Sequence, residues 1–256
     1  MQAPAHLPFP AFVGMETAKQ ALLLLAVEPR LRGVVLAAGA GTGKSGLARG
    51  MQALLGEEAT PFVEVPTSTD VENLLGGLDL TATLRMGWPV VRHGVLARAH
   101  GGVAYVDRIN LLADEITNLL LGVLDEGEVR VEREQVSLRA PANFSLIGSY
   151  DPAEGLPRSH LLDRVGLLVI LPSTVDAAQR SEVIRRNLMV DPEAWAEDLE
   201  FLRGLVLAAR EQLQLQGTAG VLVLGRGGHL GRHLQAQQRV VRYRGRRLGH
   251  GLGPGR

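Results

Sequence analysis

Cysteine is absent from this 256-residue chain, which excludes disulfides and thiolate metal sites alike. Long apolar runs are absent too. The longest, from Ala21 to Val27, falls far short of the roughly 20 residues that span a bilayer. The first residues show no basic stretch leading into an apolar one, so no secretory leader is expected and the cytoplasm is the expected compartment. Net charge is also missing, with 27 Lys and Arg against 27 Asp and Glu, but the balance hides an asymmetry. Residues 217–256 hold eight arginines, eleven glycines and no acidic residue, so this tail is positive by eight charges and residues 1–216 are negative by eight. Aromatic residues make up only 4% of the chain, and no stacking pattern accompanies those arginines, which argues against a nucleic-acid-binding arm. No helical or strand periodicity is sustained after Leu224. The tail therefore has three readings: a basic arm for nucleic acid or an acidic partner, a disordered terminus, or a stretch read out of frame. The Gly/Arg/Leu/His mixture favours the last, and no fold is expected there.

What is present is a core-forming composition, 46% hydrophobic, and one sharply defined motif. Val34, Val35, Leu36 and Ala37 form an apolar, β-branched run that feeds Ala38, Gly39, Ala40, Gly41, Thr42, Gly43, Lys44 and Ser45. Glycines in such a loop let successive backbone N–H groups point at phosphate oxygens. Lys44 supplies a charge for the β- and γ-phosphates, Ser45 offers a hydroxyl to Mg²⁺, and the helix that follows adds its dipole. The strict pattern wants glycine where Ala38 stands; the rest, with Gly39, Gly41, Thr42 and Gly43, is intact. A dinucleotide fingerprint is excluded, because Lys44 occupies its third glycine position. The bland alternative is a glycine-rich turn with an incidental lysine. The strand before it and the helix after it favour a site for ATP and Mg²⁺.

The rest of the body alternates strands and helices. Helices are expected from Met15 to Val27, from Ser45 to Leu55, and from Asp114 to Asp125, where Ile116, Leu119, Leu120, Val123 and Leu124 share one face. Strands are expected at Val34 to Ala37, Phe62 to Val65, Gly102 to Asp107, Phe144 to Gly148 and Gly166 to Leu171. Gly127 to Leu138 alternates apolar and charged residues and reads as a hairpin. This pattern implies an α/β fold with a mostly parallel sheet covered by helices on both faces, whose ligands bind at the carboxyl ends of the strands.

Asp107 ends the apolar run Gly102-Val-Ala-Tyr-Val. Paired with the phosphate loop, it fits the acid that holds Mg²⁺ in P-loop NTPases; alone, it would read as a helix cap or turn former. Its successor is Arg108, where ATPases of this architecture usually carry a glutamate to activate water. An arginine cannot be deprotonated and cannot be that base. It can pair with Asp107 or contact phosphate, and the residues alone leave both open.

With these residues in view, the chain resembles the AAA+ module of the magnesium chelatase I and D subunits. The resemblance runs through FVGME at 12–16, LGGLD at 75–79, GVLARAHGG at 94–102, YVDRINLL at 105–112, VERE at 131–134, IGSYDPAEG at 147–155 and LLDR at 161–164, and covers roughly residues 9–190. It implies an AAA+ α/β nucleotide-binding domain over 1–172, a partial helical lid over 173–216 with a helix near Glu200 to Gln212, and the basic Gly/Arg-rich tail over 217–256.

The resemblance also implies roles. Lys44 and Ser45 would meet phosphate and Mg²⁺, and Asp107 would hold the metal. Asp151 stands where a polar sensor contacts the γ-phosphate, although Asp-Pro is equally a turn signal. Arg164 stands at the arginine-finger position that reaches a neighbouring subunit's ATP; alternatively it makes a local ion pair with Asp163. The 127–138 hairpin would be the element pointing into a ring pore, or else an edge hairpin. Ala38, Arg108 and Asp151 together point to a D-type subunit, and a truncated one is expected. Such a subunit would bind ATP with weak or no hydrolysis and support insertion of Mg²⁺ into protoporphyrin IX in (bacterio)chlorophyll synthesis. Its partners would be an I-subunit ring, in a homo- or hetero-oligomeric assembly, and a porphyrin-binding catalytic subunit; no porphyrin-binding His or Cys set is present. The alternatives are an actively hydrolysing I-like or MoxR-like motor, and a nucleic-acid-binding ATPase resting on the tail alone.

Overall fold

The computed structural model describes residues 7–56, 60–133, 136–172, 177–188, 191 and 193–215. The expectations for the 217–256 tail and for the lid's first residues, 173–176, lie outside them. The strands are β1 (Gly33–Ala37), β2 (Phe62–Glu64), β3 (Gly76–Leu78), β4 (Val91–His93), β5 (Val103–Val106), β6 (Glu128–Arg133), β7 (Val136–Pro141), β8 (Ser145–Tyr150) and β9 (Leu167–Ile170). The α-helices are α1 (Glu16–Val27), α2 (Lys44–Leu55), α3 (Val71–Leu75), α4 (Leu80–Met86), α5 (Val95–Arg98), α6 (Asp114–Glu126), α7 (Ser159–Leu162), α8 (Ala177–Leu188) and α9 (Ala196–Leu215).

The central sheet runs β2-β5-β8-β1-β9, with every pairing parallel. Strands buried on both faces need apolar residues throughout, and β1 and β8 are buried from end to end. The period-2 alternation of side chains then builds two cores. Val34, Leu36, Val103, Tyr105, Ile147, Leu167 and Val169 pack with α1, α2 and the Val206 side of α9. Val35, Ala37, Ala104, Val106 and Leu146 pack with α3, α5 and α6 on the other face. The five expected strands are all present, displaced by one or two residues at their ends, and the 127–138 hairpin is the antiparallel pair β6–β7.

Several elements exceed the reading of the sequence, the short helices α3, α5 and α7 and the helix α8 among them. Residues 76–93 form a second antiparallel pair, β3–β4, joined through α4, and Leu84, Met86 and Trp88 there are exposed. The expected 200–212 helix is the 20-residue α9. It docks lengthwise on α1 and α2 and satisfies carbonyls that a helix end leaves without a partner. Arg203 donates to the carbonyls of Ala53, at 2.6 Å, and Leu54, at 3.4 Å, at the end of α2. Arg210 donates to the Ala26 carbonyl at the end of α1, at 2.6 Å. No helix among the described residues is long and apolar enough to cross a membrane.

Candidate nucleotide site

The loop between β1 and α2 has the backbone that its glycines allow. Gly41 and Gly43 adopt φ of 74° and 85°, the left-handed region that costs a residue with a Cβ about 1 kcal/mol. Gly43 caps α2 directly. Ala38 is absent from the positive-φ positions, so its methyl group meets no conformational penalty. It is 2% exposed, packed into the α1/α2 core, and its N–H donates to the Tyr150 carbonyl at 3.1 Å. The departure from the strict motif at Ala38 therefore leaves the loop intact. Lys44 is buried, and its ammonium donates to the Gly39 carbonyl at 3.1 Å. The Thr42 hydroxyl donates to the same oxygen at 3.0 Å. These two bonds fold the lysine back over the loop, at the positive end of α2.

Asp107 reaches this loop from the end of β5. The Ser45 hydroxyl lies 3.2 Å from Asp107 Oδ1 and 3.1 Å from Oδ2. Ser149, fully buried in β8, donates to Oδ1, and Tyr105 OH lies 3.2 Å from the Ser149 oxygen. Because the Ser149 proton serves Asp107, the Tyr105 hydroxyl is the donor in that second contact. Arg49 Nε donates to Glu64 at 2.6 Å, while its guanidinium lies 5.6 Å from the centre of the Tyr105 ring. Burial alone would raise the Asp107 carboxyl. The hydrogen bonds from Ser149 and Ser45, the Arg108 N–H and the Arg49 charge outweigh it and hold Asp107 below the usual carboxylate range. An ionised carboxylate beside a serine hydroxyl at the first turn of the helix is the donor set of a hard, oxygen-seeking divalent cation, so the residues fit Mg²⁺.

No local motif in the sequence marks Ser149, Tyr105 or Arg49. The available signal was a hydroxyl inside an otherwise apolar strand, since a buried polar residue is more informative than an exposed apolar one. The register Val106 to Gly148 carries Asp107 alongside Ser149, but that requires knowing that β5 and β8 are neighbours.

Arg108 has φ 51° and ψ 50°, left-handed for a residue with a side chain. Its N–H donates to Asp107 Oδ1 at 3.1 Å, while its guanidinium pairs with Glu154 at 3.9 Å. Of the two options left open by the residues alone, contact with Asp107 is made by the backbone and not by the charge. Asp151 follows Tyr150 at the end of β8, beside the loop, and accepts the Ala153 N–H at 2.9 Å, capping the 3-10 turn Pro152–Glu154. This is the turn geometry of an Asp-Pro pair.

Arg164 lies elsewhere. It precedes β9, whose Leu167 is in register with Val34, and Gly166 donates to the Leu31 carbonyl. This places it at the amino edge of the sheet, while the phosphate loop leaves the carboxyl edge; β1 alone separates the two by roughly 13 Å. Its guanidinium pairs with Asp125 at the end of α6. The structure thus brings Gly39, Gly41, Thr42, Gly43, Lys44, Ser45, Asp107 and Asp151 together around one loop and sets Arg164 apart.

The AAA domain family of the dynein-related subfamily matches residues 33–165, just over half of the chain. The chain belongs to this AAA family. The AAA chain is 46% identical over 206 residues to the 67 kDa magnesium-chelatase subunit of Chlorobaculum parvum, covering 80% of this chain and 33% of that protein. It is 39% identical over 243 residues to the 38 kDa magnesium-chelatase subunit of Cereibacter sphaeroides, covering 80% of this chain and 72% of that one. It is thus a homologue of magnesium chelatase subunits, and it spans about a third of the length of the 67 kDa relative. Among solved structures, a chain of a magnesium chelatase BchI–BchD complex, based on a single-particle cryo-EM reconstruction, superposes with a TM-score of 0.58 at 37% identity, over 82% of this chain and 77% of that one.

Proposed function

We propose that this AAA chain is a D-like subunit of a magnesium chelatase that binds Mg·ATP and hydrolyses it weakly or not at all. The observation that carries this reading is Arg108. It follows Asp107 directly, where a water-activating carboxylate is needed, and its guanidinium turns toward Glu154. Losing a positioned base costs about 10²–10⁴ in rate. Lys44 would hold the β- and γ-phosphates, the N–H groups of Gly39 to Gly43 would line them, and Ser45 and Asp107 would hold Mg²⁺, whose charge offsets that of the phosphates. Asp151 would lie near the γ-phosphate, where its negative charge weakens ATP binding. Arg164 would serve a neighbour's ATP, consistent with its position at the far edge of the sheet.

In this reading the chain is a platform in an oligomeric ring in the cytoplasm. It couples an ATP-driven I-type ring to a porphyrin-binding catalytic subunit that inserts Mg²⁺ into protoporphyrin IX. The second reading, an I-like motor, draws on the undisturbed phosphate loop and on the 72% coverage of the 38 kDa relative. A fluorescent ATP analogue titrated with Mg²⁺, alongside phosphate release from the same sample, separates the two. Binding without turnover is expected; steady turnover would overturn the platform in favour of the motor.

A further inference from the structure

Three charged side chains meet at the amino edge of the central sheet. Arg32 immediately precedes β1, Asp125 lies in the last turn of α6, and Arg164 stands between α7 and β9. Asp125 pairs with Arg32 through Oδ1 and with Arg164 through Oδ2, so one carboxylate carries two guanidiniums. The two arginines are not equivalent. Both backbones are tied into the fold, Arg32 by its N–H on the Pro29 carbonyl at 2.9 Å and its carbonyl on the Leu146 N–H at 2.8 Å, Arg164 by its N–H on the Leu161 carbonyl at 3.1 Å; they differ in what surrounds their side chains. Arg32 and Asp125 also line the same cavity of about 460 Å³. Arg164 takes the carboxylate oxygen that Arg32 leaves.

The consequence is electrostatic. If Arg164 swings away, Asp125 remains paired with Arg32, and no unpaired carboxylate is left beside the cavity. The hold on Arg164 is also light, as is that on Arg32: the two side chains are 45% and 44% exposed and Asp125 is 27% exposed, and water screens such pairs.

We infer that Asp125 is a positioning residue for Arg164: with Arg32 as its standing counter-ion, it parks the Arg164 guanidinium at the amino edge until the triphosphate of a neighbouring chain competes for it. This rests on the reading of Arg164 as a group supplied to a neighbour. A polyphosphate presents more negative charge than a carboxylate already shared with Arg32 and so competes for the guanidinium.

The test is phenylglyoxal modification of the whole chain, read by peptide mass spectrometry, with Arg30 and Arg158, paired to Glu28 and Asp114, as internal references. Asp125→Asn should raise the rate at Arg164 about three- to fivefold, as expected for loss of an exposed pair, with the references unchanged and Asp125→Glu restoring protection. Arg32→Gln should slow modification of Arg164, because Asp125 is then left to it alone; this variant also serves if Asp125→Asn folds poorly. An unchanged rate at Arg164 in both variants overturns the parking role. Adding a non-hydrolysable Mg·ATP analogue at concentrations that assemble the chain tests the underlying reading separately. If Arg164 responds to Asp125→Asn but assembly with the analogue never protects it, the parking stands and the trans role falls.

Discussion

Ser149 hands its only hydroxyl proton to Asp107, and Tyr105 in turn bonds to the Ser149 oxygen. A fully buried serine in the second strand from the phosphate loop thereby fixes the orientation of the carboxylate assigned to the metal. Hydrogen bonds to charged groups contribute about 1.5–3 kcal/mol each. Ser149→Ala should therefore weaken Mg²⁺-dependent binding of a fluorescent ATP analogue about tenfold, for a loss near 1.5 kcal/mol, and leave metal-free binding in place. Ser149→Thr should retain binding. Equal losses with and without Mg²⁺ would make Ser149 a packing residue.

Arg108→Glu restores a carboxylate beside Asp107. A positioned base is worth about 10²–10⁴ in rate, so phosphate release by the assembled chain should rise by about 10²-fold. No rise would place the defect elsewhere, with Asp151, whose carboxylate is engaged by the Ala153 N–H, as the next position to change.

Ala38→Gly completes the strict loop motif and should nonetheless bring nothing. Ala38 has no positive φ to relieve, and its methyl group is packed in the core. The expectation is unchanged nucleotide affinity and a stability loss of about 0.5–1 kcal/mol from the extra freedom of glycine in the unfolded chain, read as a lower denaturation midpoint. Tighter ATP binding would contradict this account of the loop.

Gly102→Ala should cost more. A Cβ there would run into the carbonyl oxygen of Pro61, the acceptor for the Val103 N–H that starts the β2–β5 pairing. Backbone cannot yield as a side-chain tip does, so a destabilisation of about 1–3 kcal/mol is expected. Thermal melts of the variant beside the parent check it.

Glu182 provides a pH signature for α8. Hydrogen bonds from Arg185 and Arg186 lower its carboxyl from 4.5 to about 2. Because the folded value is depressed, its contribution is complete above the unfolded value near 4.5 and is lost as pH falls toward about 2. The group is on the surface, so the contribution is small and shrinks in salt. Comparing the denaturation midpoint with that of Glu182→Gln at pH 7, 4 and 2.5 should show a gap that narrows with acid. A constant gap would remove the ion pairs from the explanation.

Much of this molecule is legible without coordinates, and the parts that are share one property: their signals are local in the chain. A phosphate loop is a run of consecutive residues whose glycines, lysine and helix start act on one ligand, so its identity and its placement after β1 can be read from twelve positions. Strand and helix periods likewise need only neighbours in sequence, and the five core strands, α1, α2 and α6 stand where their patterns put them. Asp107 was legible because it closes an apolar strand at the sheet's carboxyl edge.

Tertiary structure alone decided the remainder. Ser149 matters because β8 lies beside β5, an adjacency that neither strand encodes on its own. From the sequence Arg164 either acts on a neighbour's nucleotide or pairs with Asp163. Its partner is Asp125, 39 residues earlier in the chain, because α6 and the start of β9 end at the same edge of the sheet. Ala38 looked like a defect until its backbone angle and packing were known, and the charge of Arg108 faces Glu154, which no spacing rule ties to it. Patterns along a chain record what each segment must bury and how it must turn. Which charges then meet across the sheet depends on strand order and register, which arise only when the whole core is packed.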